Sequence, residues 1–197
     1  MIGSIVRRLA LATVLAGLAY GECAVAAPGE AVATPARIAF RPYFEERWPP
    51  GTPVTIAQVR HMIAAHGANW AVQHLAAGDC PNRWDSVMRG IASGSQAWLD
   101  VAPLLRPGTD AATSEVYVIA LSDALVANPS GALRLIAAER DDSLCQENGI
   151  ETEPDHVRAY YAAAIEAVLS VRVPALQAIR AACLAQLRAG AAPSPAP

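Results

Sequence analysis

From residue 55 onward apolar side chains recur every three or four positions, the spacing that lines one face of an α-helix. Thr55 and Gln58 form a T-x-x-Q capping box ahead of Val59, Met62 and Ile63. Gly67 ends or bends that helix, and a second run carries Trp70, Val72 and Leu75 before Gly78 closes it. After a loop with Cys80 and Pro81, a third stripe is made by Trp84, Val87, Met88 and Ile91. Gly94 stops it, and Ser95 is placed to cap a further helix whose stripe is Trp98, Val101, Ala102 and Leu105. That stripe predicts Trp98 to be core.

Pro107-Gly108 marks a turn, and residues 109–114 offer several capping side chains before a helix through Val116, Ile119, Ala120, Leu125 and Val126. Asn128-Pro129 is the cap and first-turn pair of the next helix, with Leu133, Ile136 and Ala137 inward. Residues 139–153 are charged and irregular. Pro154 opens a long helix through Val157, Tyr161, Ala164, Val168 and Val171, at spacings of 4, 3, 4 and 3. Pro174 breaks the pattern, and Leu176, Ile179, Cys183 and Leu187 resume it until Gly190. No stretch has the apolar-polar alternation of a strand outside a longer helical pattern. The expected class is therefore all-α, built from stacked antiparallel helical hairpins as an irregular bundle or a short helical-repeat-like array. One domain, residues 55–190, is expected to hold them.

The remainder of the chain reads differently. Arg7 and Arg8 precede an apolar run over residues 9–20, and Ala24-Val25-Ala26 gives the small-x-small pattern of a signal peptidase site. Residues 1–26 are expected to be a cleaved signal peptide, with cleavage after Ala26 and a periplasmic or secreted product. Glu22 interrupts the run short of a membrane span, so no stable membrane insertion is expected after cleavage. Residues 27–54 hold Pro28, Pro35, Pro42, Pro49, Pro50 and Pro53 and read as a proline-rich arm, extended, partly packed or disordered. Within the arm Tyr43, Phe44 and Trp48 cluster; they are either laid on the domain surface or contacts for a partner. Residues 191–197 read as a disordered Ala/Pro tail.

The formal net charge of −3 becomes −4 once Arg7, Arg8 and Glu22 are removed. An acidic chain with dispersed arginines is a poor nucleic-acid ligand. Cys80, Cys145 and Cys183 would survive cleavage into an oxidising compartment, which leaves one without a mate, unless all three are simply buried apolar residues. None has zinc-ligand spacing and there is no C-x-x-C, and no motif for a cofactor is present.

Chemistry is thinly represented. His61 and His66 point to different sides of a helix, and His66 could share a face with His74 only if the helix ran unbroken through Gly67; these three and His156 read as solvent-exposed. Ser93 and Ser95 lack the G-x-S-x-G frame and read as capping residues. Asp141-Asp142 lacks the calcium-loop spacing. Glu115 and Asp123, eight residues apart, could share a helical face as a carboxylate pair, or serve as dipole compensation and a cap.

Gly90-Ile91-Ala92-Ser93-Gly94, Trp98-Leu99, Gly108-Thr109-Asp110-Ala111, Ser114-Glu115, Asp123-Ala124-Leu125 and Asn128-Pro129, followed by Cys145 and Cys183, resemble a group of small exported proteobacterial proteins of unknown function, over about residues 84–187. The resemblance implies an exported helical domain with its two late cysteines paired. Cys183 lies on the apolar stripe of the last helix and Cys145 opens the loop before the preceding one, so a Cys145–Cys183 disulfide would staple that loop to the final hairpin; Cys80 with Cys145 is the alternative. A looser similarity, in size, export and helicity, is to periplasmic immunity proteins that neutralise secreted toxins. Two functions are then in play. One is a non-enzymatic interaction or inhibitor/immunity-like module acting on an envelope or secreted protein, with Trp48, Trp70, Trp84 and Trp98 as candidate anchors. The other is an envelope hydrolase whose carboxylates converge only in three dimensions. A deep cleft with converging acids would favour the hydrolase, and a shallow groove with exposed aromatics the binder.

Overall fold

In the computed structural model, which describes residues 39–46, 50–78, 81–140, 142–146 and 153–192, every regular element is helical. In chain order they are α1 (Tyr43–Glu46), α2 (Ile56–His66), α3 (Ala68–Ala76), α4 (Arg83–Ala92), α5 (Gln96–Leu99), α6 (Ala102–Leu105), α7 (Ala111–Ala127), α8 (Pro129–Glu139), α9 (Pro154–Ser170) and α10 (Gln177–Ala191). Single 3₁₀ turns cover Arg106–Gly108, Asp142–Cys145 and Pro174–Leu176. The described residues fall within one compact unit. None of its helices is long and apolar enough to cross a membrane.

The helix ends follow local chemistry. The Gln58 N–H donates to Thr55 Oγ1 and the Thr55 N–H to Gln58 Oε1, closing the expected capping box. Asn82 with Asp85 and Asp110 with Thr113 build two more boxes in the same way. At Ser95 the expectation is corrected. Ser95 holds the capping position, but its own side chain makes no capping bond. The Ser93 hydroxyl instead donates to the Gly90 carbonyl and accepts the Ser95 N–H.

α7 is the central element, packed by α1, α4, α8 and α9. It is the apolar helix expected here, and every residue from 119 to 125 is buried. A helix enclosed on all sides has no polar face to present. The polar members of this run therefore need partners: the Ser122 hydroxyl donates to the carbonyls of Val118 and Gln146, and Asp123 accepts the Phe44 N–H at 3.1 Å.

That last bond corrects the expected arm. Tyr43 and Phe44 are 8% and 1% exposed and belong to the main core, so they are fold residues and not available as partner contacts. The proline-rich composition concealed a single helical turn whose two aromatics help to enclose α7. Chain near residue 51 is also docked, because the Thr52 N–H donates to the Asn82 carbonyl at 3.0 Å. A Cβ on Gly51 would collide with that same carbonyl, which is why glycine occupies this close approach. The helical domain thus starts before residue 55. Trp48, Cys80, the signal and arm residues 1–38 and the tail residues 193–197 lie outside the described residues.

The expected stripe through Trp98 is divided between α5 and α6, with Pro103 in the first turn of α6. Leu99, Val101, Ala102 and Leu105 are buried, while Trp98 is half-buried against the core's edge. Its indole lies over Gly90, where a Cβ would sit only 2.6 Å from the ring. At the far end of the chain Arg180 Nε donates to the Val168 carbonyl at 3.1 Å, and Gly190 lies against the Tyr161 hydroxyl. The start of α10 meets the end of α9 and the end of α10 meets the first half of α9, so the two run antiparallel. Cys145 and Cys183 form a disulfide with Cα atoms 5.2 Å apart, both fully buried. It joins the 3₁₀ turn to α10, and the Gln146 carbonyl, which accepts from Ser122 and from the Tyr160 hydroxyl, ties the same turn to α7 and α9.

Candidate interaction surface

The candidate carboxylate pair separates. Glu115 is exposed on α7, whereas Asp123 is 3% exposed and occupied by the Phe44 N–H, so the two do not face a common space. A different carboxylate is engaged across the fold. Glu139 Oε1 accepts the Tyr117 hydroxyl at 2.8 Å, Arg106 Nε stands 3.9 Å from Oε2, and the Arg106 guanidinium lies 5.3 Å from the centre of the Tyr117 ring. Burial, followed by the neighbouring Glu139 charge, pushes the Tyr117 hydroxyl well above the usual phenol range. The phenol is thereby held as a protonated donor, and the cluster clasps α7 to α8 and to the turn after α6. Nothing in the local sequence links Arg106, Tyr117 and Glu139.

Of the tryptophans proposed as anchors, Trp84 is 3% exposed and structural, and Trp98 is half-buried. Trp70 differs, being 41% exposed. It sits on α3 with Ala71, Val72 and Leu75 turned into the core beside it, which fixes the helix and sends the neighbouring positions outward. Four residues before it, the His66 ring lies with its centre 4.1 Å from the indole's; four residues after it, the His74 ring stacks at 4.6 Å and only 10° from parallel. Arg83 Nη1, at the first turn of α4, extends the series by meeting His74 Nε2 at 3.3 Å.

A shared face for His66 and His74 was expected to require an unbroken helix, and the two rings meet Trp70 across a break. Gly67, at φ +84°, caps α2 through its N–H to the Ile63 carbonyl and offers its own carbonyl to the Ala71 N–H. The left-handed conformation open to glycine sets α3 so that Trp70 comes under His66.

His61 is exposed on α2, but His156 is not the exposed residue expected. It is half-buried edge-on to Phe40, with ring centres 5.4 Å apart. Among the described residues no group of three or more His, Cys, Asp or Glu side chains is arranged to hold a metal ion. A shallow, open groove of about 460 Å³ runs between α8 and α10, lined by Ala137, Arg140, Ala178, Ile179 and Ala182. Among the described residues that line it, Arg140 is the one charged side chain. Comparison of the chain with family models, with curated proteins and with solved structures finds no match.

Proposed function

We propose that this chain is an exported, non-enzymatic helical protein of the bacterial envelope that acts by binding another protein, as an inhibitor or immunity-like module does. The observation that carries the reading is the exposed His66–Trp70–His74 ladder, extended by Arg83. An indole kept 41% exposed and held between two imidazole rings, one tilted and one stacked, is presented at little further cost in side-chain entropy. Tryptophan and arginine are the residue types that most often carry binding energy at protein interfaces. The competing hydrolase reading loses its support, since Asp123 is committed to the backbone of α1 and Glu115 lies apart from it. Export rests on the N-terminal charge, apolar run and small residues, and on the likeness to small exported proteobacterial proteins.

The test is site-specific photocrosslinking in the producing bacterium. A photoreactive residue at Gln73, an exposed position one turn from Trp70, is expected to give a discrete protein adduct, and the same residue at Arg158 on α9 none. Equal, diffuse labelling from both positions removes the reading. Intact mass of the recovered protein tests export at the same time, with Ala27 as the expected first residue.

A further inference from the structure

Resting on the interaction reading above, the geometry points to an acidic segment of a partner protein as the occupant of the ladder: a carboxylate on Arg83, and an apolar or aromatic side chain against the exposed part of Trp70. The charge pattern around the ladder argues for this. The described residues 50–78 contain Arg60, His61, His66 and His74 and not one Asp or Glu, in a chain whose formal net charge is −3. The α2–α3 hairpin is therefore an acid-free stretch of an acidic protein. Its ladder ends on a guanidinium that meets an imidazole, and that contact uses one edge of a fork carrying five donors. Arginine binds a carboxylate through two parallel N–H groups, a geometry that adds direction as well as energy.

A polyphosphate is a poorer fit than a carboxylate. The ladder offers one arginine, where nucleic-acid affinity is built from many simultaneous phosphate contacts. Carboxylates set among apolar side chains match both halves of the surface, the arginine and the indole.

The experiment uses the full mature chain and a capped oligoglutamate peptide bearing one phenylalanine, with binding followed by calorimetry. Binding is expected to weaken about tenfold or more on Arg83→Glu, the range for losing a charge-assisted hydrogen bond, and to fall as salt rises towards molar concentration. Trp70→Ala should weaken it while keeping the charges, and Arg158→Glu, an exposed change on α9, should leave it unaltered. Circular dichroism of each variant confirms that the helices remain. No binding, equal loss on Arg158→Glu, equal affinity for the matching lysine peptide, or displacement by a DNA oligonucleotide at equal concentration overturns the inference. The two readings fail separately. A protein crosslinked at Gln73 whose affinity ignores Arg83→Glu and salt leaves the binder standing and removes only the acidic partner.

Discussion

At the scale of single residues, Phe44 and Tyr117 show how tertiary position sets a side chain's role. Phe44 is 1% exposed and its N–H is held by the buried Asp123 carboxylate. Phe44→Ala should therefore destabilise by about 3 to 5 kcal/mol, as truncation of a core aromatic does, measured by chemical denaturation. An unchanged midpoint would mean that the segment is a loosely laid arm after all. Tyr117 makes a pH-dependent contribution. Its folded pKa is raised, by burial first and by the Glu139 charge second, above an unfolded tyrosine value of about 10. The folded state then binds more protons than the unfolded one above that value. The contribution is complete below about pH 10 and declines as pH climbs beyond it. In Tyr117→Phe the alkaline fall in thermal midpoint should be shallower than in the parent, although the variant is less stable at neutral pH by about 1 to 3 kcal/mol because Glu139 loses its donor. Parallel alkaline profiles would show that this phenol is not the titrating group.

At the scale of elements, stability depends on how short helices are locked to one another. The Cys145–Cys183 bond closes a loop with a sequence separation of 38 and fastens the 3₁₀ turn to α10. Replacing both cysteines by serine should cost about 3 to 4 kcal/mol by the loop-entropy relation. A reductant should lower the parent's denaturation midpoint and leave the variant's where it is. The α4–α5 junction is locked differently, by the Trp98 indole lying over Gly90. Gly90→Ala places a methyl group where the ring sits and should cost about 1 to 3 kcal/mol by overpacking. Trp98→Ala should cost about 2 kcal/mol, less than for a fully enclosed tryptophan because the ring is half-buried. Combined, the two changes should be clearly less than additive, since the clash disappears with the indole. Strict additivity would show that the ring does not rest there.

At the scale of the molecule, the all-helical class, the succession of helices from residue 55 and most of their turns, the α5–α6 break excepted, follow from the sequence alone. The reason is range. Helical periodicity, the Thr55–Gln58 box and the stops at Gly67, Gly94 and Pro174 are decided by groups within four residues of one another. The disulfide could be anticipated because Cys183 lies on the apolar stripe of the last helix and Cys145 opens the loop before the preceding one, and the resemblance pointed to the same pair. Other features waited for the tertiary structure. Tyr43 and Phe44 read as an arm because proline signals dominate their surroundings, and the bond that draws them inside spans 79 residues. The burial of residues 119–125 of α7 on all sides depends on what packs around them, which the helix's own periodicity cannot state. The Arg106–Tyr117–Glu139 clasp joins three separate elements and leaves no mark in any one of them. The ladder lies between these cases: the four-residue spacing of His66, Trp70 and His74 is written in the chain, while the His66–Trp70 contact across the break depends on the angle that Gly67 gives to α3. What the sequence determined is what the backbone settles locally, and what only the fold decided is which of the resulting faces are covered and which, like Trp70's, are left facing solvent.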